Sequence, residues 1–410
     1  MANTNSSNSP LDLSRWRKVP VYAIVVGVAF LALGAFAASR SETGLARQFG
    51  FSWLMAFMFF LSLCMGGLFL VLAHHLFDAS WSVPIRRYCE HLACLSLPLA
   101  VIFIPVALLA PKIYPWMTMN PPDHALHAKA AMLNPTFFYV RVVGYFLIWV
   151  VLSHSLRAFS VAQDKDGAAK WTHKMRLFSY VGIFLFAITL TFAAIDWIKS
   201  LQYQWFSTMF GVWYFASSVW TTFATVYVIA VVLRRNGPLK EVLYPTHFYY
   251  MGSLIFAFTV FYAYITFSQY FIIWNANMPE ETFWYRLREQ GTWWWVGMVV
   301  IFGHFFVPFL TLLRIDWKLK LCVMLPVAIW AWLMHFSDLS FNIMPVLHPK
   351  NFVLHWMDIG AFLIIGGVLS ILFIRSLGTT AAYPLRDPRL KESLTSHELP
   401  AADADAGLAH

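Results

Sequence analysis

Charged residues are scarce in this chain of 410 residues. Asp, Glu, Lys and Arg together make up 12% of it, whereas 60% of the residues are hydrophobic. A soluble domain cannot hide that much apolar surface, so the composition excludes the soluble classes. The net charge of +9 does not indicate nucleic-acid binding, because the basic residues lie in short loops between apolar runs. The composition therefore predicts a protein that crosses a lipid bilayer many times.

Cysteine is also scarce. The four cysteines are Cys64, Cys89, Cys94 and Cys322, and they form no CxxC motif and no zinc-like grouping. Their spacing does not fit the ligation of an iron–sulfur cluster. We therefore expect this chain to hold neither a metal nor a covalently bound cofactor.

Long apolar runs are what the chain has instead. Stretches of about 20 such residues predict ten transmembrane helices. Their approximate limits are 20–38, 51–76, 92–110, 137–156, 178–198, 210–233, 248–274, 293–313, 321–341 and 354–375. The loops and termini on one side of the membrane hold 20 of the 29 Lys and Arg residues, so the positive-inside rule places both termini in the cytoplasm.

The ends of the chain differ from this central part. Residues 1–19 are rich in Asn and Ser and predict a disordered cytoplasmic leader. Residues 377–410 predict a disordered cytoplasmic tail, which leaves residues 20–376 as the membrane domain. The first span is longer than the apolar core of a typical signal peptide, so we expect it to be retained.

A weak internal repeat relates the fifth and ninth spans. They end FAAIDWIKSL and LMHFSDLSFN, each with an Asp near the outer end. The span before each contains a His followed by an Arg. The repeat predicts two related four-helix bundles, spans 2–5 and spans 6–9, flanked by spans 1 and 10.

Three ionisable pairs at i, i+3 spacing lie near the outer ends of apolar spans. These pairs are Asp196/Lys199, His335/Asp338 and His355/Asp358. Residues with this spacing share one helix face. A charge inside a bilayer costs roughly 2.5–3.5 kcal/mol, so such residues are usually paired, inward-facing and functional. Arg141 is predicted at the same depth.

A second ionisable group is predicted on the inner side of the membrane. Its members are His74, His75, Glu90, His91 and His154. His304, about halfway along span eight, stands between the two groups. His and carboxylate side chains suit a proton relay because their pKa values can be tuned through the working range. The two groups together predict a path for protons across the membrane. For each residue, the alternative is a structural role, in an ion pair at the interface or in ordinary packing.

Several segments carry a resemblance to a known family. The run YFIIWNANMPEETFWYRLREQGTWWW from Tyr270 resembles a hallmark of one membrane subunit of bacterial alternative complex III. The runs FSWLMAFMFFLSLCMGGLFLVLAHHL from Phe51, IDWIKSLQYQWFSTMFGVWYF from Ile195 and WMDIGAFLIIGG from Trp356 support the same family. The chain is most similar to the ActF-type subunit, an NrfD-like protein of the polysulfide-reductase membrane-subunit family.

The resemblance implies two four-helix bundles with flanking helices in a bacterial inner membrane. It implies a complex that oxidises menaquinol or ubiquinol, with an NrfD-like sister subunit, an iron–sulfur subunit and c-type cytochrome subunits as partners. This chain would hold no redox centre of its own. In the family an acid near the outer end of span five belongs to the quinol-site region, and Asp196, beside Trp197, matches that position. Whether this chain binds quinol or only conducts protons is left open.

Two other functions fit the same residues. Intramembrane charge and an internal repeat are also features of secondary transporters coupled to ions or protons. The proposed halves would be parallel rather than inverted, however, and spans five and nine show no central break. The second alternative is a purely structural anchor subunit, in which the polar pairs are ion pairs.

Overall fold

The computed structural model describes residues 16–39, 44–235, 237 and 239–395. Those residues form helices and loops, with no β-strand among them. The helices are α1 (Lys18–Ala38), α2 (Leu45–Phe77), α3 (Val83–Ala93), α4 (Ser96–Ile102), α5 (Ile104–Ile113), α6 (His124–Ala128), α7 (Pro135–Asp166), α8 (Ala169–Trp197), α9 (Phe210–Arg235), α10 (Pro245–Ala276), α11 (Pro279–Arg288), α12 (Trp293–Val300), α13 (Val307–Leu312), α14 (Leu321–Ile343), α15 (Trp356–Leu377) and α16 (Leu390–Thr395).

The long helices confirm the predicted fold class. In the described part of the chain, nine helical segments are long and apolar enough to cross a membrane, and the bent unit α3–α5 can supply a tenth. Segment Trp293–Leu312 counts as one of the nine, although a π-helical turn at Ile301–Phe306 separates α12 from α13. The chain is therefore an all-α integral membrane protein of about ten helices.

The third span differs from its prediction. A single helix was expected over residues 92–110, but the chain bends by 55° between Ser80–Ile102 and Ile104–Ile113. Pro105, at the start of α5, has no backbone N–H to continue the helical ladder, and proline at such a position commonly kinks a helix. The predicted span is thus a broken one.

Helix α2 is the hub of the molecule. It is apolar all round, and from Phe51 to Leu68 every face is buried apart from Trp53. It packs against α3, α5, α8, α9, α14 and α15. It comes close to α9 at Gly66, where a Cβ atom would lie 2.8 Å from the backbone oxygen of Ser218.

The helix contacts form two four-membered sets around this hub. In the first, α2 packs on α3 and α5, α4 packs on α7, α7 on α8, and α8 on α2. In the second, α9 packs on α10, α10 on α13, α12 on α14, and α14 on α9. These sets are the predicted spans 2–5 and 6–9, and they are named bundle one and bundle two below.

Helices α1 and α15 pack along each other on the flank of these bundles. Small residues bring their backbones close, since a Cβ on Gly360 would lie 2.9 Å from the backbone oxygen of Gly27. Close backbone approach at glycine is a common means of helix association in membranes. The predicted flanking position of spans 1 and 10 is therefore observed.

The predicted tail is ordered in its first part. Residues 378–395 pack against the bundle end that contains His74, and Asp387 is buried there. The backbone N–H of Leu385 donates to Asp164, and α16 packs on α3. Ion pairs of Asp387 and Arg389 therefore hold this part of the tail in place, where composition alone predicts disorder. Residues 396–410 and residues 1–15 of the predicted leader lie outside the described part.

Candidate proton-transfer site

The first predicted pair is replaced by a different one. Asp196, the second-last residue of α8, receives two hydrogen bonds from the Arg141 guanidinium, from Nε at 2.7 Å and Nη2 at 2.8 Å. The Tyr145 hydroxyl also donates to Asp196, at 2.7 Å. This bidentate pair compensates the charge of the carboxylate fully. Lys199 forms no ion pair with any described residue.

Trp197, the other residue of the predicted quinol position, belongs to the core of bundle one. Its ring packs against the rings of Phe57, Phe103, Phe146 and Trp149, with centroid distances from 4.6 to 6.0 Å. Its indole nitrogen has no hydrogen-bond partner in the described chain. The two residues of this position therefore have different roles: Asp196 neutralises an arginine, and Trp197 fills an aromatic core.

The third pair is a helix cap. His355 is the N-cap residue of α15, its Nδ1 atom accepts from the Met357 N–H at 3.2 Å, and its own backbone N–H donates to Asp358 at 2.8 Å. This reciprocal arrangement is a capping box, which satisfies orphan donors at a helix start. The i, i+3 spacing of His355 and Asp358 is therefore explained by helix capping.

A chain of hydrogen bonds leads to the same aspartate. His348 bonds to Gln48 at 3.0 Å, Gln48 donates to Ser52 at 3.2 Å, and Ser52 donates to Asp358 at 2.5 Å. Because Ser52 and the His355 N–H each donate to one carboxylate oxygen, both oxygens of Asp358 act as acceptors. Gln48 and Ser52 each donate towards Asp358. The network thus links α2, the loop before α15 and α15 itself.

The second pair lies deeper and is connected differently. His335 and Asp338 are buried, 0% and 2% exposed, on the face of α14 that meets α2 and α9. The His335 Nε2 atom lies 2.9 Å from the Ser62 hydroxyl, and its Nδ1 atom lies 2.9 Å from the Ser217 hydroxyl. The Ser217 hydroxyl is also 3.5 Å from Asp338 Oδ2. One serine therefore stands between the imidazole and the carboxylate.

Neutral groups surround the Asp338 carboxylate. The Asn342 amide donates to Oδ1 at 3.2 Å, and the side chains of Tyr262 and Trp213 lie beside the carboxylate. No Lys or Arg of the described chain forms an ion pair with it. Asp338 thus differs from Asp196 in having no such cation, and the ionisable side chain linked to it through Ser217 is His335.

His304 adjoins this pair in an unusual stretch of backbone. It lies in the π-helical turn Ile301–Phe306, a feature often found at functional sites. Its ring is fully buried between the rings of Tyr262 and Trp220, with centroids 3.6 and 4.0 Å away. Neither ring nitrogen has a hydrogen-bond partner among the residues the structure describes.

The predicted inner group forms an ion-pair network with the tail. Arg86 pairs with Glu90 at 3.1 Å and also binds Asp387, and Arg87 pairs with Glu90 at 3.0 Å and with Asp164. Although burial raises the pKa of the Asp387 carboxyl, the charges of Arg86 and Arg389 hold that pKa well below its usual range. The group is therefore charge-compensated.

The inner histidines are also constrained. Arg86 donates to His74 Nε2 at 2.9 Å; an arginine cannot accept, so this nitrogen carries no proton. His91 bonds to Ser376 at 2.7 Å, and His154 bonds to the backbone oxygen of Val150 at 3.1 Å. Both ring nitrogens of His75 lack a partner in the described residues. No direct hydrogen bond among the described residues joins His304 to this group, so the predicted bridge through His154 is not made by contact.

Several polar residues of the site were not predicted from the sequence. Ser62, Ser217 and Asn342 touch the second pair, and Asp387 completes the inner network. A hydroxyl in an apolar helix usually bonds to its own backbone, so its sequence context gives no signal. Asn342 does follow Asp338 at i, i+4 spacing, which is a signal that sequence reading can use.

Comparison with known proteins adds no family to this description. No model of a known protein family matches the chain, and no curated protein matches it. The fold and the geometry of the site must therefore support any assignment of function.

Proposed function

We propose that this chain is the proton-handling membrane subunit of a quinol oxidoreductase of the alternative complex III type. Its proposed partners are an NrfD-like sister subunit, an iron–sulfur subunit and c-type cytochromes. The resemblance of the Tyr270–Trp295 segment supports this family. The two bundles with flanking α1 and α15 support it as well, because they are the architecture that the family implies.

The observation that carries the proton role is the pair His335/Asp338. Burying an unpaired carboxylate without a cation costs several kcal/mol, so an ionised Asp338 requires a protonated His335. The pair therefore holds one proton between its two members while its total charge stays at zero. Groups whose protonation states depend on each other in this way suit proton transfer.

Quinol, bound by this complex, would supply both electrons and protons. The residues of this chain would take up or release the protons, and the redox centres would belong to the partner subunits. Asp196 and Asp358 are assigned structural roles, because a guanidinium and a capping box already satisfy them. Arg141 and His355 share those structural roles as their partners, whereas Lys199, which pairs with no described residue, is assigned no role in the proton path.

The transporter alternative has one observation in its favour. Broken helices at mid-membrane are typical of transporters, and two spans are interrupted here, the third by the bend before α5 and the eighth by the π-helical turn. These interruptions fall in the second helix of bundle one and the third helix of bundle two. Because they do not occupy corresponding positions, they do not form the repeated break that a transporter of this kind uses.

The test uses the assembled complex in vesicles. Asp338→Asn is expected to lower protons moved per electron while subunit assembly stays intact. Asp316→Asn, in the partly exposed 3-10 turn before α14, is the matched control and should change neither quantity. Unaltered proton movement in Asp338→Asn would overturn the proton role. The assignment to such a complex falls if the native chain co-purifies with no cytochrome or iron–sulfur subunit and the purified sample oxidises no quinol.

A further inference from the structure

We propose that the Ser217 hydroxyl passes the proton between Asp338 and His335. The inference deepens the proposed function and rests on it for its biological meaning, but its geometry is independent of any partner subunit. Three features carry it: a fixed proton on one ring nitrogen, a single shared hydroxyl proton, and neutral surroundings.

Ser62 fixes the proton on the His335 Nε2 atom. The Ser62 hydroxyl lies 2.6 Å from the backbone oxygen of Phe59 and 2.9 Å from Nε2. A hydroxyl has one proton, and a carbonyl oxygen can only accept. The Ser62 proton therefore goes to Phe59, and Nε2 must be the donor in the second contact. In the neutral ring, Nδ1 is consequently the acceptor that faces Ser217.

Ser217 then has two self-consistent arrangements. In the first, the carboxyl O–H of Asp338 donates to Ser217, and Ser217 donates to the neutral His335 Nδ1. In the second, the protonated His335 donates through Nδ1–H to Ser217, and Ser217 donates to the Asp338 carboxylate. Both arrangements use the same heavy-atom contacts, 2.9 Å from the Ser217 hydroxyl to Nδ1 and 3.5 Å from it to Asp338 Oδ2, so neither needs a new partner.

The step between these arrangements balances in atoms and charge. The O–H bond of Asp338 breaks and its proton forms a new O–H bond at Ser217. The original Ser217 proton leaves at the same time and forms an N–H bond at His335 Nδ1. No electron pair leaves the three residues, and their total charge remains zero. For transfer, the longer contact must shorten to the usual O–H···O range of about 2.5–3.0 Å, so the step requires the two side chains to approach by about 0.5–1 Å.

No Lys or Arg of the described chain pairs with Asp338, so no fixed charge there stabilises one arrangement over the other. The Asn342 amide supports the carboxylate with a neutral donor, whereas the apolar interior favours the uncharged pair. Ser52 at the third pair offers the contrast. It accepts from the Gln48 amide and donates to Asp358, and an amide donor cannot reverse its direction. Only the second pair is thus built for exchange.

The experiment compares two neighbouring serines in the assembled complex. Ser217 and Ser218 are both fully buried, but the Ser218 hydroxyl donates only to the backbone oxygen of Tyr214, at 2.6 Å. Ser217→Ala should slow proton transfer by about a hundredfold, as expected for loss of one proton-transfer group, while Ser218→Ala should slow it less than about twofold. Ser217→Thr keeps the hydroxyl and should restore much of the rate.

Infrared spectroscopy supplies a second readout that does not need turnover. The carbonyl band of protonated Asp338 is assigned by its loss in Asp338→Asn. Ser217→Ala should shift this band and change its intensity, and Ser218→Ala should leave it in place. An unchanged band and an unchanged rate in Ser217→Ala overturn the relay. If Asp338→Asn blocks proton movement and Ser217→Ala does not, the proposed function stands without the relay. If the band responds to Ser217→Ala but the rate does not, Ser217 bonds to Asp338 without passing its proton, and the relay falls.

Discussion

The ion pair between the tail and the bundles gives a quantitative prediction. Asp387 binds Arg86 and lies 3.1 Å from Arg389, all at the buried His74 end. Removing one partner of a buried pair costs about 3–5 kcal/mol, because the other charge is left uncompensated. Glu90 remains on Arg86 at 3.1 Å, so we expect Asp387→Asn to cost about 3 kcal/mol, the lower end of that range.

We expect this loss of free energy to favour detachment of the tail rather than unfolding of the whole chain. A change of about 3 kcal/mol raises the population of the detached tail more than about a hundredfold. Limited proteolysis or hydrogen exchange within residues 384–395 measures this population, with the exposed Glu392→Gln as a control of equal charge change. Since the pKa of Asp387 is held below its ordinary 3.8, the pair is complete at neutral pH and is lost only as the pH falls well into the acid range. Equal protection of the tail in Asp387→Asn and Glu392→Gln would refute this reasoning.

Three further predictions concern other parts of the chain. Asp196→Asn alone should lower the thermal midpoint in detergent more than Asp196→Asn combined with Arg141→Met. The single change leaves the largely buried Arg141 guanidinium unpaired, whereas the double change removes both charges. Equal midpoints for the two variants would contradict the pairing. Gly66→Ala should lower the free energy of unfolding by about 1–3 kcal/mol, because the added methyl group would push α2 away from α9. Gly144→Ala has open space at its Cβ and should change stability little. A Gly66→Ala variant as stable as the native chain would argue against the close contact. Burial and, to a lesser extent, the charge of Lys129 lower the pKa of Lys199 to about 8. Labelling of Lys199 by an amine reagent should therefore be half-maximal near pH 8, whereas an ordinary lysine reaches that point near pH 10.5.

The sequence was sufficient for most of the fold. Apolar runs gave each long helix to within a few residues at most ends, because the bilayer requires continuous apolar helices of nearly fixed length. The weak repeat also predicted which helices pack together. The bend near Phe103 and the π-helical turn at His304 were missed, since both are local changes inside runs that remain apolar.

The contacts of the tail could not be predicted, for a related reason. Its composition is polar, and polarity in a terminal segment predicts disorder. What holds it is a set of charges from distant parts of the chain, Arg86 in α3 and Asp164 in α7. Sequence reading can count such charges but cannot place them opposite each other.

The site shows why equal spacing does not mean equal function. Two residues at i, i+3 share a helix face, but the N-cap and N3 positions of a capping box have the same separation. Sequence reading cannot fix the first residue of α15 to within one position, so it cannot tell His355 as a cap from His355 as a proton carrier. The partners that decide between these roles lie far along the chain, as Ser62 does from His335.

The depth of each pair gives the distinction a physical basis. Asp196 and Asp358 lie within three residues of a helix end, where an arginine or a free backbone N–H can reach them. Asp338 lies five residues before the end of α14, about 7.5 Å along its axis at 1.5 Å per residue, and His335 lies three residues deeper. There the carboxylate of Asp338 meets only neutral partners, so its charge has to be balanced by a proton on its neighbour. A fixed cation would hold the proposed proton equilibrium in one state, and no Lys or Arg of the described chain forms an ion pair with Asp338.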